Sequence, residues 1–265
     1  MIRRKPEEWI RVTKQGLFVD PGNFFIDPNT ATDIAVITHG HADHARSGHK
    51  KVISTHETLA IMKVRFGENH SPLPYGIAYG EKLKINDVVI WLVPAGHVLG
   101  SAQIVLEYKG SRVVVSGDYK RQKDPTCLSF EPVNCDVFIT EATFGLPVFK
   151  HPEAQEEITK LLRSIDLFSD RCHVVGAYAL GKAQRIIALL RQKGYERPIY
   201  IHGALKKLCH LYAQNGVDLG QLLPVPISKK NQKNLNLEGQ IVLAPPSAIA
   251  DRWIRRLPDP LVVMS

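Results

Sequence analysis

An α/β chain in two parts is the fold class this sequence predicts, and three observations predict it. Short apolar runs bounded by Gly, Pro, Asn and Asp crowd the first 148 residues. From residue 149 to residue 265 helix-period segments alternate with apolar strands, the rhythm of a parallel sheet wrapped by helices. A length of 265 residues with 44% hydrophobic content allows one large core or two modest ones.

In chain order, strands are expected over "GLFVD" from Gly16, "NFFID" from Asn23, "IAVIT" from Ile34, "VVIWLVP" from Val88, "QIVLEY" from Gln103, "RVVVSGD" from Arg112 and "DVFIT" from Asp136. One helix interrupts them, "HETLAIMKVRF" from His56. The rhythm changes between Leu146 and Pro152. A helix is then expected from Pro152 to Ile165, a strand over "HVVGAY" from His173, a helix from Lys182, a strand over "PIYIHG" from Pro198 and a helix from Leu205. After the polar "SKKNQKN" come a strand over "QIVLAPP", a helix over "AIADRWIRRL" from Ala248 and a strand over "PLVVMS".

Charge and cysteines narrow the function classes. The net charge is +8; residues 1–150 hold 18 Lys and Arg against 16 Asp and Glu, and residues 151–265 hold 16 against 10. The second part is therefore the basic one, and a basic surface attracts phosphate backbones. Cys127, Cys135, Cys172 and Cys209 lie far apart with no C-x-x-C pair, so buried reduced thiols are expected, not a disulfide framework or a zinc ribbon. The charged start "MIRRKPEEWIRV" carries no secretory signal, and no stretch approaches the roughly 18 apolar residues of a membrane helix. A cytoplasmic protein is the expectation.

The densest chemistry follows the "IAVI" run, where "THGHADH" places His39, His41, Asp43 and His44 within six residues. A loop leaving the carboxyl end of a strand is held by the sheet yet open to a crevice. His39 and His41, two apart on an extended segment, can point to one side while Asp43 and His44 turn to a neighbouring position, a spacing that serves two ions. Imidazole nitrogen suits Zn²⁺ at roughly 2.0–2.1 Å and carboxylate oxygen suits a harder or more exposed ion. His97 closes "VVIWLVPAGH", and Asp118 closes "RVVVSGD", each again just beyond a strand.

"THGHADH", the later "AGHVLGSA" and then "SGDYKR" resemble the metallo-β-lactamase superfamily. The resemblance implies a four-layer αββα sandwich with a two-metal site at the edge of its sheets. His39, His41 and His97 match the ligands of the first ion, Asp43 and His44 those of the second, and Asp118 the carboxylate bridging both. Asp27 in "FFIDP" resembles the early Asp that orients a ligand histidine, against the plainer reading of an Asp-Pro turn. Two divalent ions, Zn²⁺ with Mn²⁺ as the alternative, would lower the pKa of a water and offset phosphate charge. The same ligands could open a β-lactam or a thioester, so they do not choose the substrate.

The sequence after the site chooses. "ITEATFG" places Glu141 beyond another strand, and an α/β segment follows, an arrangement similar to the β-CASP branch of DNA-repair and RNA 3′-end nucleases. Glu141 matches the first β-CASP motif. The resemblance implies a lactamase domain over residues 1–148, incomplete at its carboxyl end, and a parallel-sheet β-CASP cap domain over residues 149–265. "AYALGKAQR", "IHGAL" and "GLFVDPGNFFIDP" look most like ligase-associated DNA exonucleases, also described as mRNA 3′-end processing factors. The implied activity is a metal-dependent exonuclease on DNA using a metal-activated hydroxide, with an ATP-dependent DNA ligase or a helicase as partner. An RNA 3′-end processing nuclease of the same fold is the alternative. Two later β-CASP histidine motifs have no match before Ser265, so impaired turnover, or a relative that only binds nucleic acid, is the third expectation.

Weaker candidates complete the reading. Gly176 to Ala183 fits G-x-x-x-x-G-K, but Ala183 stands where Ser or Thr would hold Mg²⁺ and the expected ATPase partners are absent, which argues against a nucleotide P-loop. Gly181 and Lys182 start a helix whose N–H groups could receive a nucleic-acid phosphate. Lys206, Lys207, Lys229, Lys230, Lys233, Arg252, Arg255 and Arg256 could track a phosphate backbone. His202 is a candidate cleft residue, and the remaining histidines are expected to be structural or solvated.

Overall fold

In the computed structural model, which describes residues 4–226 and 236–264, the strand-rich part forms two sheets. The first is built from β1 (Ile10–Thr13), β2 (Gly16–Val19), β3 (Phe24–Ile26), β4 (Ile34–Val36) and β5 (Lys51–Ser54), then α1 (His56–Phe66) and β6 (Leu73–Gly76). These six strands lie side by side in chain order, antiparallel from β1 to β3 and parallel from β3 to β6. The second holds β7 (Leu83–Ile85), β8 (Val88–Pro94), β9 (Ala102–Tyr108), β10 (Ser111–Val115) and β11 (Val137–Ile139), antiparallel except for the parallel β10–β11 pair.

Residues from both sheets interlock in one core, with Val19, Phe24, Val36 and Ile53 meeting Ile90, Leu92, Ile104 and Leu106. On the outer face of the first sheet, α1 lays Met62 and Leu59 over Ala35, Ile37, Ala45 and Val52. Full burial of Ile61 and Met62 stabilises this docking by about 1.5–3 kcal/mol each. The Thr55 hydroxyl caps the helix by accepting from the Thr58 N–H, worth about 1 kcal/mol. The outer face of the second sheet is different. Val93, Val105 and Val114 are covered there by Trp91, Val133 and Cys135, so in this unit's described residues an irregular segment stands where the resemblance implies a helical layer.

The second unit, Pro147–Ser265, follows the first, Met1–Leu146. It contains α2 (Ala154–Leu167), β12 (Cys172–Gly176), α3 (Lys182–Gln192), β13 (Ile199–Ile201), α4 (Gly203–Gln214), β14 (Leu222–Pro224), β15 (Ile241–Ala244), α5 (Pro246–Ala250) and β16 (Pro260–Met264). All pairings in its sheet, order β14-β13-β15-β12-β16, are parallel, as its alternating rhythm requires.

Three expectations need correction. The single helix expected from Ala248 to Leu257 is two short pieces, because Asp251 leaves helical geometry and its carboxylate accepts the Arg252 N–H. Cys127 and Cys135 are half-buried, whereas Cys172 and Cys209 are buried as expected; all four are free thiols. The strands β1, β5, β6, β7 and β14 were not anticipated; each spans only three or four residues, too short for a clear periodic signal.

Candidate metal centre

The parallel run of β3, β4 and β5 brings their carboxyl ends to one sheet edge. β4 runs through Ile37 and Thr38 into His39, and the next turn carries His41, Asp43 and His44. Beyond β8, the His97 loop is tied to this edge. Ser101 Oγ accepts the N–H groups of His97 and Val98 at 3.0 and 3.1 Å, and the Ala102 N–H donates to Thr38 O at 2.8 Å. Gly96 makes the third loop fit: it has φ +74°, and a Cβ there would lie 2.3 Å from Lys120 O. That approach lets the Lys120 N–H donate to Ala95 O at 3.0 Å, joining the His97 loop to the one carrying Asp118.

Four groups converge. His39, His41, His97 and Asp118 each offer a ligand atom, all within 4.8 Å of one another. His39 Nε2 lies 2.9 Å from His41 Nδ1, His97 Nε2 lies 3.1 Å from the same atom, and Asp118 Oδ2 lies 3.7 and 3.6 Å from His39 Nε2 and His97 Nε2. Beside them is a second set sharing the same carboxylate. His44 Nε2 is 3.3 Å from Asp118 Oδ1 and 3.8 Å from Asp43 Oδ2. Asp43 is the exposed member and His39 the fully buried one.

The proton positions follow from the surroundings. Burial holds His39 well below the usual imidazole range, reinforced by His44, His41, His97 and Arg65. Burial likewise lowers His97 to about 4, with help from His41 and Lys120 against the pull of Asp118. Burial would lower His44 too, but hydrogen bonds to Asp118 and Asp27 outweigh it and raise this ring to about 10 in the metal-free chain. Asp118 is held below the ordinary carboxylate range, first by its bond with His44.

Asp27 holds the frame. It has φ +43°, a left-handed conformation that short polar side chains tolerate best. Its carboxylate accepts the Thr38 N–H at 2.8 Å, the Thr38 hydroxyl at 2.5 Å and His44 Nδ1 at 2.7 Å. Thr38 Oγ1 in turn stands 3.1 Å from His39 Nδ1. The partners on the Nδ1 sides of His39 and His44 leave Nε2 of each ring directed at the donor cluster.

A cation fits these donors. Neutral imidazoles with lone pairs facing one another repel unless something positive lies between them. The ring-nitrogen separations approach the edge of a tetrahedron with about 2.0–2.1 Å bonds, which is about 3.3 Å. The first set offers three nitrogens and one oxygen, a zinc-type donor set, and the second adds one nitrogen and two oxygens.

Comparison with known proteins places this chain in a lineage. No family model matches the chain. The Neurospora crassa protein named endoribonuclease ysh-1 is 30% identical over 237 residues, covering 73% of this chain and 28% of its own length. Cleavage and polyadenylation specificity factor subunit 3 of Dictyostelium discoideum is 27% identical over 216 residues, covering 67% of this chain and 28% of its own length. A protein of Opitutus terrae named probable DNA ligase is 23% identical over 254 residues, covering 94% of this chain and 24% of its own length. The chain belongs to the β-CASP branch of the metallo-β-lactamase superfamily. This β-CASP chain spans about a quarter of the length of those relatives. A crystal structure of a protein of unknown function from Enterococcus faecalis V583 shares the fold at TM-score 0.50 and 12% identity, covering 88% of this chain and 58% of that one.

Other residues singled out in the β-CASP sequence sit elsewhere. Glu141 follows β11 and accepts the Thr143 N–H at 2.7 Å, outside the four-group cluster. Gly181 donates its N–H to the Gln184 side chain, and the Lys182 and Ala183 N–H groups bond to Leu180 O and Tyr178 O, so this helix start has committed the donors proposed for a phosphate. Lys206 and Lys207 are exposed on α4, and Lys206 edges a cavity of about 480 Å³. His202 is a helix cap, accepting the Ala204 N–H and packed edge-on to Trp253. Lys229, Lys230 and Lys233 lie outside the described residues. His49, His70 and His173 are buried, the structural one of the two roles expected for them. Sequence reasoning passed over Thr38, Ser101, Arg65 and the ion pair of half-buried Lys120 with buried Asp124, residues whose partners appear only once the loops are assembled. Among the described residues no helix is long and apolar enough to cross a membrane.

Proposed function

We propose that this chain carries the hydrolytic centre of a two-metal nuclease, an exonuclease acting on DNA in ligase-associated repair. The observation that carries the proposal is the pair of donor sets sharing Asp118. His39, His41, His97 and Asp118 would hold one ion, and Asp43, His44 and Asp118 the other. When bound, such ions supply positive charge against a phosphodiester and lower the pKa of a water. The chain's own residues prepare the rest. Burial keeps His39 and His97 unprotonated, so their lone pairs are available. Asp27 takes the Nδ1 side of His44 and leaves Nε2 to the site. Exposed Asp43 marks the open side, where a substrate would enter.

The basic second unit, read as the β-CASP cap, supplies charge for a nucleic-acid backbone through Lys206, Lys207 and Lys182. Glu141, though turned to its own loop, is proposed as a catalytic residue through its match to the first β-CASP motif. The DNA reading draws on the ligase-named relative, which covers 94% of the chain, and a DNA ligase or helicase partner is proposed on the same ground. RNA 3′-end processing is the second reading, favoured by the 30% identity to a protein named endoribonuclease.

The test is cleavage of end-labelled single-stranded DNA and RNA with Zn²⁺ or Mn²⁺, beside Asp43→Ala. Ladder-like loss of DNA, abolished in Asp43→Ala, is expected. Cleavage of RNA alone moves the second reading ahead, and metal binding without cleavage of either removes the nuclease assignment for this chain.

A further inference from the structure

The segment from His39 to His44 holds four of the six proposed metal donors, yet its fit depends on a residue outside the centre. Gly40 is the link between the two histidines of the first set. Its Cα rests on α1 so closely that a Cβ there would lie 2.5 Å from Ile61 Cγ2. One turn further along α1, Arg65 donates from Nη1 to the carbonyl oxygen of Gly40 at 2.5 Å. The guanidinium is half-buried, its carbon 5.0 Å from the centre of the Phe66 ring, and it feels the charge of Asp43. A single cation therefore grips the backbone between His39 and His41 while lying within electrostatic reach of the carboxylate of the second set.

We infer that Arg65 is a positioning residue for the metal centre, fixing the spread of His39 and His41 through the Gly40 carbonyl. The inference rests on the metal-centre reading proposed above. It needs neither substrate nor cleavage. A planar guanidinium suits the task because its N–H groups are fixed in direction and it tolerates partial burial better than an ammonium. Without it, the Gly40 carbonyl loses this charged partner and the loop is held to α1 by apolar packing, Ile61 against Gly40 and Met62 among Ile37 and Ala45. Nothing in the sequence marks Arg65, which lies 25 residues from Gly40 within a helix whose basic end looks solvated.

The test is metal binding by the full chain and by Arg65→Met and Arg65→Lys, read by chelator competition and by the visible spectrum of the Co²⁺-loaded forms. Outer-shell partners of metal ligands typically govern affinity by about 10- to 100-fold. Arg65→Met is expected to lose affinity in that range and to shift the Co²⁺ bands, with Arg65→Lys intermediate. Where cleavage is measurable, kcat should fall with KM unchanged and recover as free metal is raised. Wild-type affinity and spectrum in Arg65→Met would overturn the inference, as would a raised KM at full metal loading, which would make Arg65 a substrate contact. Should Arg65→Met fail to fold, Arg65→Lys decides on the same two readouts. If no nucleic acid is cut by any form, the nuclease reading fails while the metal readouts still judge Arg65.

Discussion

Asp27→Asn removes one of the two acceptor oxygens that orient His44 and Thr38. Asn tolerates the φ of +43° at this position, so the backbone is preserved. What changes is the count of acceptors. Asp27 accepts from the Thr38 N–H and from His44 Nδ1, at 2.8 and 2.7 Å, through different oxygens. Asn has one oxygen and one NH₂ group. If the oxygen stays with Thr38, the NH₂ faces His44 Nδ1, and the ring must carry its proton at Nε2, the atom 3.3 Å from Asp118 Oδ1. If the oxygen turns to His44, two N–H donors oppose each other at Thr38. Either arrangement costs about 1–3 kcal/mol, matching the roughly 10- to 100-fold loss of metal affinity usual for such partners. The loss should fall mainly on the second ion, with a smaller effect on the first through Thr38 and His39 Nδ1. Titration with a chromogenic chelator that resolves the two steps is the assay. Wild-type affinity for the second ion, or loss of the first ion alone, would refute the reasoning.

Other perturbations have defined outcomes. Gly96→Ala pairs a left-handed φ with an overlap on Lys120 O and should destabilise the chain by about 2–5 kcal/mol in urea denaturation. Lys120→Met removes the cation paired with the buried Asp124 carboxylate, which keeps its bonds from the Thr126 N–H and hydroxyl, and should cost about 1–3 kcal/mol in the same denaturation. His173 is buried on β12 with Nε2 against Ser164 Oγ, and burial lowers its pKa. Above the ordinary value of about 6.5 the ring is neutral folded and unfolded; below it the unfolded chain takes the proton first, so stability falls as pH falls. Thermal melts at about pH 7.5 and pH 5.5 should therefore show a smaller drop for His173→Gln than for the wild type.

The ligand loop was legible because its donors are neighbours in sequence and follow a strong strand signal; α1 was legible because the spacing of "HETLAIMKVRF" is a local signal. Asp27 was legible only through the family resemblance, since an Asp-Pro pair otherwise reads as a turn. Arg65, Thr38 and the Lys120–Asp124 pair belong to another kind of information. Their residue types are ordinary, and their roles arise when α1 and the loops after β4, β8 and β10 meet at one edge. Histidines 49, 70 and 173 were expected to be structural or solvated, and all three are buried; the sequence did not choose between the two because burial comes from tertiary contacts. The break of the expected helix at Asp251 shows local competition: an Asp carboxylate offered the next N–H a better partner than one more helical turn.

The most direct measurement is a metal count on purified wild type, Asp43→Ala and His97→Ala after equilibration with Zn²⁺. The account predicts two ions in the wild type and one in Asp43→Ala, with His97→Ala losing the ion held by the three-histidine set. A wild type that binds no ion, or an Asp43→Ala protein that still holds two at wild-type affinity, would contradict it.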